Sequence, residues 1–268
     1  MDVLVKFRKE PVALAGDVSQ MYHQILLRPE DRALHRFLHR NLDSGDTDVI
    51  ADIAEGDWAC GIDLEKRELP TTKTLGVLWA ATDDKFSFRH SLQLDGFEFT
   101  KRNVLGRTAS VYEPLGVLSP YVIRSKLLIR KASLEARDWD ELLPTPHQRE
   151  WTKWFRELKD LELVKIPRCL TDPSLKVEEL SIHTFSDASE NAYTAVVCAH
   201  VYEDGNITPQ LIMSKSRLAP LKAVNIPRLE LLGALIGLRL TRQVCSALKI
   251  STNAVIYWVD SMNVGYWI

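Results

Sequence analysis

Paired cysteine is missing from this sequence. Its four cysteines, Cys60, Cys169, Cys198 and Cys245, are scattered, and no Cys-x-x-Cys pair occurs. That distribution excludes a zinc knuckle and points to a reducing compartment rather than a disulfide framework. His35 and His39 have a ligand-like spacing, but no second ligand pair lies near them. They read as members of the alternating run His35-Arg36-Phe37-Leu38-His39-Arg40, a strand pattern. No apolar leader opens the chain, and no stretch reads as long enough to span a bilayer. The expected location is cytoplasmic or nuclear, with no membrane partner. Net charge is also lacking: it is −2 at pH 7, so the chain as a whole carries no polyanion-binding signature.

What is present is ordinary globular bulk with unevenly spread charge. Hydrophobic residues make up 46% and charged residues 26%, enough to bury a core, and 268 residues accommodate one or two domains. Between positions 101 and 131 seven basic residues (Lys101, Arg102, Arg107, Arg124, Lys126, Arg130 and Lys131) stand against Glu113 alone. Between 43 and 84 eleven acidic residues stand against Lys66, Arg67 and Lys73. On charge alone the basic stretch reads equally as a phosphate-facing surface or as a solvated helix face.

One stretch organises the rest: Ile182-His183-Thr184-Phe185-Ser186-Asp187-Ala188-Ser189, a strand that ends on a carboxylate and a turn. Glu230 follows in Pro227-Arg228-Leu229-Glu230-Leu231-Leu232-Gly233, a helix start. Asp260 ends the β-rich run Ala254-Val255-Ile256-Tyr257-Trp258-Val259. Strand-Asp, helix-Glu, strand-Asp can converge three carboxylates on a Mg2+ site for phosphodiester chemistry. Each also has a plainer reading: Asp187 a turn residue, Glu230 a first-turn helix charge, Asp260 a helix cap. In the helix, Glu230, Gly233, Ala234, Gly237 and Thr241 share one face, whose small residues permit close approach to a sheet. Leu232, Ile236, Leu240 and Val244 form a core stripe beside it.

Earlier segments read as connecting architecture. Asp83-Asp84 reads as the turn of an ordinary hairpin between apolar runs. The segment 105–120 reads as helical and broken by Pro114. A helix is expected from Ser119, with Pro120 at its first position, to about Ala136. Another is expected with Thr145 as N-cap and Gln148 completing a capping box. Its apolar face is Trp151, Trp154, Phe155, Leu158 and Leu161, which predicts core packing rather than a base-stacking platform. A β-run over 193–202, a turn at Asp204-Gly205 and a strand over 210–215 complete an antiparallel set.

Three sets of residues carry a resemblance. Asp17 followed by Met21-Tyr22-His23-Gln24-Ile25 resembles the first catalytic motif of retroelement reverse transcriptases. The resemblance implies a Mg2+-binding role for Asp17 and a 2′-hydroxyl-excluding role for Tyr22. The stretches 74–79, 105–120 and Ile166-Pro167-Arg168 resemble the Bel/Pao class of long-terminal-repeat retrotransposons, in the region often labelled the Pao retrotransposon peptidase. The motif at Asp187, with Glu230 and Asp260, is similar to the opening half of ribonuclease H.

These resemblances imply a pol polyprotein fragment of mixed α/β class. Its expected parts are a reverse transcriptase palm remnant over 1–50 and a palm or thumb-edge remnant with a hairpin over 51–100. A helical connection over 101–180 and a truncated RNase H-like sheet with its helix over 181–268 follow. The implied parent activities are RNA-directed DNA synthesis and Mg2+-dependent hydrolysis of RNA in RNA–DNA hybrids, with nucleic acid as partner. No Tyr-x-Asp-Asp hairpin occurs, so a palm segment reads as missing and DNA synthesis by this chain is not expected. The later carboxylate and fifth strand of RNase H enzymes also read as missing, so metal binding is expected to be weak. The isolated chain is expected to be inactive or weak as a nuclease, and a non-catalytic nucleic-acid-binding product or a decayed retroelement product is the alternative. An aspartic peptidase would rest on Asp43-Ser44-Gly45, which lacks apolar strand flanks. An integrase-type nuclease would place its Glu last, unlike the order here.

Overall fold

The computed structural model describes residues 2–9, 71–74, 77–89, 94–135, 138–171, 177–203, 206–252 and 255–267. The chain divides into two compact units, Met1–Ala13 with Pro70–Ile268, and Leu14–Leu69. The described residues belong to the first. Asp17, Tyr22, His35, His39, Cys60 and the Asp43-Ser44-Gly45 triplet lie outside them, as does the Asp204-Gly205 turn.

Two sheets frame this unit. In the larger, β5 (Val177–Ala188), β6 (Ala192–Glu203) and β7 (Asn206–Leu218) are antiparallel neighbours, and β8 (Val255–Val259) pairs parallel with β5. The order is β7-β6-β5-β8. All three early strands run longer than the apolar runs predicted, because backbone pairing continues through their polar ends. A parallel pair needs a crossover, and the helix Ile226–Leu248 supplies it. Asn225 caps its start by accepting from the Arg228 N–H at 3.2 Å, and Lys249 closes its end at φ 58°.

The small face of that helix lies on the sheet as expected. Gly237 rests against Thr184 and Ala195, and the Thr241 hydroxyl hydrogen-bonds the Thr184 hydroxyl at 2.5 Å. Ile236, Leu240 and Val244 are buried beside Ala195, Val197 and Ile212 in one core. By length and composition this helix is apolar enough to cross a membrane, contrary to the expectation from sequence. Half of it is buried inside the protein, and its apolar content serves the core.

The smaller sheet, order β1-β2-β3-β4, joins β1 (Thr71–Thr74), β2 (Val77–Ala80), β3 (Lys85–Ser87) and β4 (Lys165–Pro167). The Asp83-Asp84 turn joins β2 and β3 as an antiparallel hairpin, as expected, and Asp84 also anchors a distant arginine. Asp84 sits at φ 51°, and its carboxylate accepts two hydrogen bonds from the buried Arg168, at 2.6 and 2.8 Å, and one from the Trp79 indole at 2.9 Å. A short N-terminal helix, α1 (Asp2–Phe7), had no periodic signal in the sequence. It buries Leu4 and Val5 in the same core as the long helix. Arg8 after it is fully buried, donating to the carbonyls of Leu211 and Ile212 at 2.6 and 3.0 Å and of Arg168 and Pro167 at 3.1 and 3.3 Å. Burial pulls its guanidinium down to about 10.

A second core gathers three helices, α2 (Lys101–Ala109), α3 (Ser119–Glu135) and α4 (Thr145–Glu157), around Val104, Leu118, Trp151, Trp154 and Phe155. The Ile226–Leu248 helix is therefore α5, and Met262–Trp267 is α6. The tryptophans of α4 are core residues: both are buried, and Trp154 stacks on Tyr121 at 4.6 Å.

Two local expectations are corrected. Thr100 caps α2, which ends at Ala109, so Pro114 lies in the turns that follow and breaks no helix. The α4 N-cap is Pro144 and not Thr145, and no side chain caps it; Gln148 instead donates from its amide to the Leu143 carbonyl at 2.6 Å. Proline at the cap has already set the extended entry angle, which moves the helix start one residue earlier than its threonine suggested.

Candidate active site

The alternation of β5 divides its residues between two faces. Ile182 and Thr184 are buried toward α5, while Ser181, His183, Phe185 and Asp187 take the opposite face. Directly paired strand residues share a face, so Thr194, Val196, Cys198 and His200 of β6 and Trp258 of β8 join them. Asp260 follows Trp258 by two positions. Asp187 and Asp260 accordingly line one hollow of about 450 Å³, with Phe185, Ser186, Thr194 and Trp258 in its wall. Both aspartates are exposed, and the Asp187 carboxylate accepts the Ala188 N–H at 2.7 Å.

Glu230 lies in the first turns of α5, is partly buried, and is not among the residues lining this hollow. One turn on, a Cβ added at Gly233 would stand 3.3 Å from the carbonyl oxygens of Asp187 and Thr194. A side chain there would have to displace these carbonyls slightly, so glycine favours the close approach of the helix to the end of β5. The structure thus brings two carboxylates onto one hollow and the helix carrying the third against the strand end. Among the described residues no group of three His, Cys, Asp or Glu is close enough to hold a metal ion. In kind, the donors fit a hard cation, because carboxylate oxygens are its preferred ligands.

The basic residues between 101 and 131 have mostly found partners. Arg102 forms a forked pair with Asp140 at 2.7 and 3.1 Å, and Arg124 another with Glu157 at 2.6 and 3.2 Å. Lys131 pairs with Glu150 at 3.1 Å, and Lys101 lies over the Trp139 ring at 5.3 Å. Arg130 donates to the Ala219 carbonyl and to Asn191 at 2.9 and 3.3 Å. The Nε of Arg107 is buried without a hydrogen-bond partner. Lys126 is different: burial, and then the positive charges of Lys215 and Arg217, push its ammonium below the usual lysine range. Lys215 and Arg217 were not among the basic residues singled out from sequence. Their signal was period-two spacing on β7, the outer strand beside which α3 packs.

With this geometry in place, the chain can be set beside known proteins. Residues 100–261 match the family model described as the Pao retrotransposon-like RNaseH-like domain. No curated protein matches the chain. Among solved structures the chain is similar to a foamy viral protease-reverse transcriptase in complex with RNA/DNA hybrid, at 14% identity and a TM-score of 0.40, covering 72% of this chain and 24% of that one. It is also similar to a foamy viral protease-reverse transcriptase in complex with dsDNA, at 14% identity and a TM-score of 0.35, covering 74% of this chain and 38% of that one. The chain therefore spans well under half the length of these structures. With more than half its length matched, and with strands, crossover helix and carboxylates in the order described, this chain belongs to the Pao retrotransposon-like RNaseH-like domain family.

Proposed function

We infer that this chain is the RNase H-like part of a retroelement pol protein and that its site hydrolyses the RNA strand of an RNA–DNA hybrid. The observation that carries the reading is the shared hollow of Asp187 and Asp260, with α5, the helix that holds Glu230, lying close to the end of β5 at Gly233. Asp187, Glu230 and Asp260 would hold Mg2+, which supplies an activated water and charge stabilisation at the leaving oxygen. The carboxylates themselves position that ion against the phosphodiester. Minor-groove 2′-hydroxyls would mark the RNA strand.

The test uses the full chain, Mg2+ and a hybrid labelled on its RNA strand. We expect cleavage of the hybrid and not of duplex DNA, with a loss on the order of 100-fold or more in Glu230→Gln. Cleavage that survives Glu230→Gln unchanged would reject the assignment.

A second reading, a nucleic-acid-binding module without cleavage, is favoured by the mutual approach of Lys126, Lys215 and Arg217. Cations carried by neighbouring α3 and β7 suit a phosphate backbone. Salt-sensitive binding with no Mg2+-dependent cleavage is its signature. Polymerase chemistry forms no part of the proposal, since Asp17 and Tyr22 lie outside the described residues.

A further inference from the structure

Of the two aspartates on the hollow, Asp260 follows the strand with the less support. Among the described residues β8 pairs with β5 alone, and four of its five residues, Ile256 to Val259, are exposed. Beyond its backbone pairing, the distal half of β8 is tied to β5 through the Trp258 side chain. The Trp258 indole N–H donates to Nδ1 of His183 at 3.0 Å. The indole also stacks on Phe185 at 6.0 Å and lies parallel to the His183 ring at 6.0 Å.

This bond fixes the state of His183. An indole N–H can only donate, so Nδ1 must be bare. The neutral ring then carries its proton on Nε2, which lies 3.0 Å from the Ser181 hydroxyl and donates to it. A second proton would have to enter at Nδ1, donor against donor. It would also charge a ring that is buried and stacked on His200 at 3.8 Å. The titratable groups on this face are His200 and Cys198 of β6, Asp187 farther along β5, and Asp260 beyond β8. The facing β7 positions, Pro209 and Leu211, contribute none.

We propose that His183 and Trp258 form a proton-sensitive latch that holds β8 in register with β5 and so sets Asp260 beside Asp187. His183 and Trp258 are positioning residues: Trp258 stands in the wall of the hollow, neither side chain offers a carboxylate, and both act through the placement of Asp260. With His183 neutral the latch is closed. With His183 protonated the indole loses its acceptor, β8 loosens from Trp258 onward, and Asp260 leaves the hollow. Function in this inference rests on the nuclease reading above; the latch itself does not.

The first experiment therefore reads the latch without activity. In the full chain the Trp258 indole 15N–1H resonance, assigned by its loss in Trp258→Phe, is followed by NMR while pH is lowered. We expect a shift tracking one proton, centred below the ordinary histidine range, with faster amide exchange across β8 in the protonated state. In His183→Asn the amide oxygen can stand where Nδ1 was and cannot titrate, so the shift is expected to vanish while β8 remains protected. A Trp258 resonance that stays put through the histidine range in the native protein overturns the latch, as does the same shift persisting in His183→Asn. The second experiment compares pH profiles of hybrid cleavage. An acid limb present in the native protein and reduced in His183→Asn couples the latch to the site. The same limb retained in His183→Asn, alongside a titrating indole, rejects that coupling. No cleavage at any pH, with the indole still titrating, rejects the nuclease reading and leaves the latch standing.

Discussion

At Gly116 a single backbone conformation joins the two cores. Its φ is 80°, and a Cβ there would stand 1.9 Å from the Ser214 carbonyl oxygen of β7. The Ser214 hydroxyl donates to the Gly116 carbonyl, and the Ser214 N–H to that of Leu115 at 2.8 Å. A side chain at 116 must both strain the backbone and push α3 off β7. Gly116→Ala is expected to cost on the order of 3 kcal/mol in urea unfolding. Asp84 is the corresponding point in the small sheet. Its carboxylate is the anion paired to Arg168, whose side chain is almost wholly buried. Asp84→Asn should cost roughly 2 kcal/mol, less than a fully buried pair because Asp84 is itself partly exposed. His183 adds a pH term. Burial first, and His200 second, hold its pKa below the usual histidine value, so the unfolded chain binds the extra proton more readily. Stability should be full above about pH 6.5, where unfolded histidine is neutral, and should decline as pH falls below it. Urea midpoints between pH 7 and 5 measure this, and His183→Asn should flatten the decline.

Among the elements, those that repeat a short pattern were readable and those set by distant partners were not. The small face of α5 could be read from Gly233, Gly237 and Thr241 because helical spacing alone puts them in line. The apolar face of α4 was legible for the same reason. The crossover order of β5, α5 and β8 followed from β-rich runs bracketing one long helix. The α4 cap was misread because Thr145 and Gln148 satisfy a local motif that Pro144 pre-empts. Nothing within a few residues of Asp84 announces Arg168, and nothing near His183 announces Trp258. Lys215 and Arg217 stand far in sequence from Lys126, so charge counted along the chain could not assemble them. The counted stretch instead gave Arg102, Arg124 and Lys131, each of which the fold pairs with an acid.

For the whole molecule, that difference changes which residues should govern nucleic-acid affinity. Neutralising Lys126, Lys215 and Arg217 together is expected to weaken hybrid binding. It should also lower the slope of log affinity against log salt by roughly 0.9 for each phosphate left without its cation, measured by fluorescence anisotropy. Arg102→Gln should leave the slope nearly unchanged, because Asp140 already neutralises that charge. The larger assembly also has an order in time. Arg8 is made early in this unit, yet two of the carbonyls it serves belong to Leu211 and Ile212, some two hundred positions later. On a ribosome its guanidinium must stay hydrated until β7 has emerged. Its helix can therefore dock only after most of the large sheet has been synthesised, which makes α1 one of the later elements of this unit to settle.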